Sequence, residues 1–199
     1  PASGPASPST ARGVYAAIRA ALAYRLRAPE LQGVRVAVQG LGHVGFHLAR
    51  LLREAGADVF ASDLEAQRAA RAEAELGVIV VPPADILRLD VDVLAPCALG
   101  GALDADTIPM LRAGIVAGAA NNQLRTADDA ARLADRGILY CPDFLINAGG
   151  IIDVHYQRSR LDRAALAAHL DAVGERLREV LIRADADRRP TNVIAEELA

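Results

Sequence analysis

Residues 40–45 read Gly-Leu-Gly-His-Val-Gly. This spacing of three glycines constrains the fold more than any other feature of the chain. The apolar run Val36-Ala37-Val38, closed by Gln39, precedes it, and the amphipathic stretch Phe46-His47-Leu48-Ala49-Arg50-Leu51-Leu52 follows it. The order is strand, glycine turn, helix. Gly40 permits the tight turn, Gly42 lets the backbone approach a ligand, and Gly45 lets helix and strand pack closely. The start of the helix, with Leu41, His43 and Val44 between the glycines, offers unpaired N–H groups and a partial positive charge. In this setting G-x-G-x-x-G is the fingerprint of a dinucleotide site. An acidic residue belongs about 20 residues further on, beside the ribose hydroxyls. Asp63 closes the next apolar run, residues 57–62. Its carboxylate would accept from ribose hydroxyls and repel a 2′-phosphate, so the expected cofactor is NAD, not NADP. Arg68, five residues on, is the weaker counter-candidate.

The 199 residues allow one domain with a full core and an appended helical piece. A net charge of −3 gives no footprint for nucleic acid. No apolar run approaches the roughly 18 residues of a membrane span, and no signal peptide is recognisable. Cys97 and Cys141 are lone cysteines in apolar surroundings and read as reduced, buried thiols, which fits a cytoplasmic setting. All 22 basic residues are arginine, so the chain has no lysine. Chemistry that needs a lysine base cannot be completed within it. The absent lysine and the start at Pro1 together suggest a piece of a longer protein.

Periodicity supplies the organisation. Pro1 to Pro8 reads as a leading linker. A helix follows, capped by Ser9 or Thr10, with Val14, Ile18, Leu22 and Leu26 on one face. Pro29 and Gly33 punctuate the gap before strand one, about 35–39. The helix after the glycine turn runs to about Glu54. Strands are expected at about 57–62, 78–81 (a continuous apolar run, as in a buried parallel strand), 91–96, 115–118 and 138–140. Helices are expected at 64–76, 84–89, 107–112 and 127–136. The alternation predicts an α/β fold, a doubly wound parallel sheet of the Rossmann dinucleotide-binding type. Residues 1–160 form the dinucleotide-binding domain with its leading helix. Residues 161–199 form a C-terminal helical extension packed on it, with a leucine stripe through about 162–186 and a last short helix capped by Thr191.

In such a sheet, ligands bind beyond the carboxyl ends of the strands. Three loops qualify: Pro96-Cys97-Ala98-Leu99-Gly100-Gly101, then Ala119-Ala120-Asn121-Asn122-Gln123-Leu124, then residues 141–150 with Asn147-Ala148-Gly149-Gly150. Each asparagine carries a donor and an acceptor, matching a carboxamide or a carboxylate. Cys97 has no adjacent base and reads as a small packing residue near the cofactor. His43 reads as a turn side chain facing solvent. His155 and His169 lack ligand-spaced partners, so no metal site is indicated.

At these loops the sequence resembles the nicotinamide-binding domain of the amino-acid dehydrogenases acting on glutamate, leucine, phenylalanine and valine. The matching segments are residues 7–14 (Ser-Pro-Ser-Thr-Ala-Arg-Gly-Val), 36–42, 95–101, 118–124 and 142–150, in the family's order. Pro96-Cys97-Ala98-Leu99-Gly100-Gly101 and Ala120-Asn121-Asn122-Gln123-Leu124 look like the leucine/phenylalanine/valine branch. The resemblance implies reversible oxidative deamination of a branched-chain or aromatic L-amino acid to its 2-oxo acid and ammonia, with NAD as hydride acceptor. It places the catalytic lysine and aspartate in a preceding substrate domain, so this chain holds no catalytic residue and lacks that domain. It implies that Asn147 faces both substrate and nicotinamide, that Thr10 lies near the nicotinamide amide, and that Ile151 and Val154 line the side-chain pocket. Ala98, Ala119, Asn121 and Asn122 would line the cofactor cleft, and the full-length protein would be a homo-oligomer. The chain departs from the family at His155-Tyr156-Gln157-Arg158-Ser159-Arg160, where an acidic, glycine-containing segment is usual. The alternative reading is a stand-alone NAD-binding sensor or regulatory module without chemistry.

Overall fold

Six parallel strands form one sheet in the order β3-β2-β1-β4-β5-β6 in the computed structural model, which describes residues 7–27 and 30–198. The strands are β1 (Arg35–Gln39), β2 (Asp58–Ser62), β3 (Ile79–Val80), β4 (Val93–Pro96), β5 (Ile115–Val116) and β6 (Leu139–Tyr140). This order is that of the doubly wound dinucleotide fold, with the strand order reversing beside β1. The helices are α1 (Ser7–Leu26), α2 (His43–Glu54), α3 (Ala66–Leu76), α4 (Asp128–Asp135), α5 (Asp143–Ile146), α6 (Gly149–Arg158), α7 (Arg163–Asp187) and α8 (Thr191–Leu198). The stretches expected as helices at 84–89 and 107–112 are single 3₁₀ turns at Ile86–Arg88 and Ile108–Met110.

Both faces of the sheet are covered, which is why its central strands are apolar throughout. Val36 and Val38 of β1 point to one face with Ala95, Ile115 and Ala117, against α1, α2 and α7. Ala37, Leu94 and Val116 point to the other, against Ile86, Leu111 and Leu133. Leu48 and Leu52 on α2 are fully buried, and each contributes roughly 1.5–3 kcal/mol by leaving water.

α1 and α7 lie along one another. Ala11, Val14, Ala17, Ile18, Ala21 and Leu22 of α1 face the core, and so do Leu166, Leu170, Val173, Leu177, Val180 and Leu181 of α7. Small residues let the axes approach: a methyl group on Gly174 would stand 2.8 Å from the Ala16 carbonyl oxygen. Arg12 crosses to Asp171 with two hydrogen bonds of 2.8 and 2.7 Å. Both side chains are about half exposed, so the pair adds little to stability. Asp162 caps α7, accepting from the Ala164 N–H at 2.9 Å.

Several expectations need correction. Ser7 and Pro8 belong to the first turn of α1, where proline's missing N–H costs nothing. Ser9 and Thr10 therefore lie inside the helix instead of capping it. The rest of the expected linker, Pro1 to Ala6, and Pro29 lie outside the described residues. β3 is not buried but is the two-residue edge strand, with Ile79 52% exposed. Residues 143–146, read as loop, form the short helix α5.

Candidate functional site

The loops after β1, β2, β4, β5 and β6 open at the same edge of the sheet, because parallel strands share one direction. β1 ends at Gln39 and the chain turns at Gly40, whose φ of +98° favours glycine. A methyl on Gly40 would press on Ala98, at 2.9 Å from its Cβ and its backbone nitrogen. A methyl on Gly45 would collide with the Gly40 carbonyl oxygen. At Gly42 the space is open, the nearest atom being Arg68 Nη1 at 3.9 Å. So two glycines serve the packing of the turn, and the third leaves the backbone bare toward the cleft. No side chain caps α2 at Gly42, so its first-turn N–H groups are available to a ligand. His43 at the helix start is exposed, while Val44 is partly buried against the core.

Asp63 stands directly after β2. Its Oδ2 accepts the Leu41 N–H at 2.7 Å, and its Oδ1 accepts the Glu65 N–H at 2.8 Å. The Leu41 N–H, expected to be unpaired, is therefore taken by Asp63, so the expected ribose acceptor also fixes the glycine turn. Arg68 lies 4.0 Å from Asp63 and 2.8 Å from Glu65. Between the glycine turn and these residues runs a cleft of about 600 Å³, lined also by Leu64, Pro83, Ala98 and Leu99. Leu64 and Leu99 are 90% and 84% exposed, an apolar pair on the cleft that the motif reading missed. Their signal was available in sequence: Leu64 is the second residue past β2 and Leu99 the third past β4, both apolar in loops at strand ends.

Cys97 follows β4, its N–H donating to the Gln39 carbonyl at 2.7 Å. Desolvation pushes its thiol up to about 12, and a hydrogen bond from the Ala119 backbone acts the other way. Desolvation raises the Cys141 thiol to about 12 as well. Both cysteines are free; Cys141 is buried as expected, whereas Cys97 is only partly buried where it lines the cleft, and neither is primed as a nucleophile.

After β5, Ala119 leads to the exposed Asn121 and Asn122, the latter at φ 52°. After β6, α5 delivers Asn147. Its Nδ2 donates to Asn121 Oδ1 at 2.6 Å. Asp143 locks the two loops together, its Oδ2 accepting the Gln123 N–H at 2.8 Å and its Oδ1 the Phe144 N–H at 2.7 Å. Gln123 is fully buried and donates to the Gly118 and Ala120 carbonyls at 2.8 and 3.1 Å. Neither Asp143 nor Gln123 was singled out in sequence. Thr10 lies against the start of α6, its Cα 3.1 Å from where a Gly149 methyl would stand. Ile151 and Val154 lie on α6, 78% and 38% exposed, so within this chain they form an open wall and not a closed pocket.

The donors and acceptors suit a dinucleotide: bare backbone at Gly42 and an uncapped helix start to donate, a carboxylate after β2 to accept, and amides after β5 and β6 that do both. Among the described residues no group of three or more His, Cys, Asp or Glu could hold a metal ion. No helix among them is long and apolar enough to cross a membrane. A larger groove, about 760 Å³ between α1 and α7, lies away from the strand ends and gathers none of the predicted site residues.

A family model described as glutamate/leucine/phenylalanine/valine dehydrogenase matches residues 5–67 and 63–181. The chain is 39% identical over 197 residues to leucine dehydrogenase of Geobacillus stearothermophilus, covering 99% of this chain and 54% of that protein. It is 42% identical over 198 residues to L-tryptophan dehydrogenase of Nostoc punctiforme, covering 99% and 56%. The crystal structure of L-tryptophan dehydrogenase from Nostoc punctiforme superposes with a TM-score of 0.94 at 42% identity, over 98% of this chain and 59% of that one. The chain thus spans about half the length of the curated relatives it matches.

Proposed function

The chain belongs to the glutamate/leucine/phenylalanine/valine dehydrogenase family, and we propose that it is the cofactor-binding half of an NAD-dependent L-amino-acid dehydrogenase. The observation that carries this reading is the meeting of an uncapped glycine turn, Asp63 and the Asn121–Asn147 pair along one edge of the sheet.

The roles of the residues follow from their placement. The first-turn N–H groups of α2 would hold the pyrophosphate. Asp63 would accept from the ribose hydroxyls, and its charge disfavours a 2′-phosphate, so NAD is the cofactor. Leu64 and Leu99 would flank the adenine. Asn147 and Asn121 would orient the nicotinamide carboxamide and the substrate. The cofactor, when bound, supplies the acceptor for a hydride from the substrate's α-carbon. Thr10 would sit at the nicotinamide end, and Ile151 with Val154 would form one wall of the side-chain pocket. The catalytic lysine and aspartate would come from a preceding substrate domain, a reading with which the absence of lysine here agrees. Two stiff β-branched residues narrow that wall, so branched aliphatic amino acids are the preferred class and aromatic ones second. A homo-oligomer in the cytoplasm completes the proposal.

The same absence of lysine fits the second reading, a stand-alone NAD-binding module without chemistry. A panel of L-amino acids assayed with NAD on the chain joined to its substrate domain decides between them. Deamination with a preference for leucine or valine supports the enzyme. NAD binding with no turnover of any amino acid supports the sensor.

A further inference from the structure

Helix α6 is fastened to α1 at a buried charge. Gly149 lies so close to α1 that a methyl there would collide with the Ser9 carbonyl oxygen, and a methyl on Gly13 would stand 3.2 Å from the Ile146 carbonyl oxygen. Across this contact the Ser9 hydroxyl donates to Asp153 Oδ2 at 2.6 Å. Asp153 is only 4% exposed. Its Oδ1 accepts from Gln157 Nε2 at 2.9 Å, and Arg163 Nη2 stands 3.7 Å away. A buried carboxylate is costly unless it is paired and hydrogen-bonded. Its partners come from α1, from α6 itself and from the first residue of α7, so this one carboxylate ties three helices. A serine inside a helix ordinarily bonds to its own backbone or faces water; Ser9 is 8% exposed and bonds to another helix.

The geometry of α6 gives the bond a consequence. At 3.6 residues per turn, Asp153 points about 160° away from Ile151. Asp153 is buried against α1, while Ile151 and Val154 are 78% and 38% exposed on the rest of the helix surface. Turning α6 about its axis would move both apolar residues and break the Asp153 contact.

We propose that the Ser9–Asp153 hydrogen bond is a positioning device for substrate specificity. It fixes the rotation of α6, and so sets how Ile151 and Val154 present to the substrate side chain relative to Thr10 and Asn147. Neither Ser9 nor Asp153 touches substrate or cofactor; both act through α6. The inference rests on the reading of the chain as the cofactor half of an amino-acid dehydrogenase.

Two measurements test it. The first uses the 199-residue chain and needs no activity. In Ser9→Ala, the amides of residues 149–158 should exchange with deuterium about tenfold faster, the scale of a lost hydrogen bond to a charged group, while those of β1 and β4 stay protected. Asp153→Asn keeps an oxygen for Ser9 but loses the charge and turns an amide nitrogen toward Gln157 and Arg163, so its exchange should fall between wild type and Ser9→Ala. The second uses the chain joined to its substrate domain. Ser9→Ala should shift the leucine-to-phenylalanine ratio of kcat/KM by at least about threefold, with the Kd for NAD unchanged. Asp153→Asn, which keeps the Ser9 bond, should shift the ratio in the same direction but by less.

Unchanged exchange in α6 overturns the proposal. Faster exchange with the same loss of kcat/KM for every amino acid reduces the bond to a structural one and overturns the specificity role. A wild-type protein with no dehydrogenase activity overturns the functional reading and the specificity role with it, while the exchange result still decides whether Ser9 positions α6.

Discussion

Asn147 and Asn121 hydrogen-bond side chain to side chain at 2.6 Å, although they lie 26 positions apart on loops from different strands. The bond uses the Asn147 amide nitrogen and the Asn121 oxygen. It leaves the Asn147 oxygen and the Asn121 amide nitrogen for a ligand. Asp143 maintains the arrangement through Gln123. In the proposed enzyme, nicotinamide and substrate would meet at this pair.

Asn147→Ala in the chain joined to its substrate domain should damage catalysis more than cofactor binding. A hydrogen bond to a charged substrate group contributes roughly 1.5–3 kcal/mol. The loss should therefore be about 10–150-fold in kcat/KM. The Kd for NAD should change by less than about threefold. Combining it with Asn121→Ala should give less than the sum of the two effects, since each removes the same bond. Steady-state kinetics beside calorimetry separates the two quantities, and normal kcat/KM in Asn147→Ala would return this residue to a turn role.

Gly45→Ala should harm both fold and binding. The added methyl is directed at the Gly40 carbonyl, with Cys97 Cβ 3.2 Å away on another side. Backbone cannot rotate aside as a side chain can. Overpacking of this kind costs about 1–3 kcal/mol. A loss of that size lowers Tm by roughly 2–4 °C for each kcal/mol in a chain this long. Gly33→Ala is the control: its methyl would meet nothing within 4 Å, so any loss there comes from its φ of +74° alone. Thermal unfolding of both variants, followed by NAD titration, checks this. A Gly45→Ala protein with wild-type Tm and affinity would contradict it.

Asp63→Ala removes the proposed acceptor for ribose together with the anchor of the Leu41 N–H. NAD affinity should fall about tenfold. NADP should lose less, because a like charge facing its 2′-phosphate is also gone. The ratio of the two dissociation constants is the readout. An unchanged ratio would remove Asp63 from cofactor selection.

Both thiols should be unreactive in the native chain. Desolvation raises both thiols to about 12, against an ordinary thiol near 8.5, Cys141 being buried and Cys97 partly so. At pH 8 almost no thiolate is present, so iodoacetamide should label them slowly until denaturant is added. The linkage has a definite sign. A raised thiol pKa favours the folded state fully below the unfolded pKa, and that contribution is lost as pH rises toward 12. Stability should therefore decline from about pH 9 upward. Rapid native labelling of Cys141 would contradict its enclosure.

Where one short segment determines its own conformation, the sequence was readable. The glycine turn, Gln39 as the end of β1, and the left-handed Gly77 after α3 all follow from local rules. The doubly wound order followed from the strand–helix alternation. Ser9 was misjudged because its partner, Asp153, is 144 positions away; a local rule sees only a good cap. The run Val78–Val81 looks like any buried strand, and its place at the sheet edge is a property of the whole topology. Helix α5 has four residues, too few for periodicity to register. At the site, the asparagines were legible as polar residues at strand ends. Their mutual bond, and the Asp143–Gln123 lock behind it, depend on how two loops pack and left no spacing to read.

The most direct test of the account is a calorimetric titration of the 199-residue chain with NAD, paired with an assay of the same sample against leucine, valine and phenylalanine. One NAD should bind per chain, more tightly than NADP, and no amino acid should be turned over, because the chain supplies the cofactor site but no lysine. Robust deamination by this chain alone, or no measurable NAD binding, would contradict the assignment.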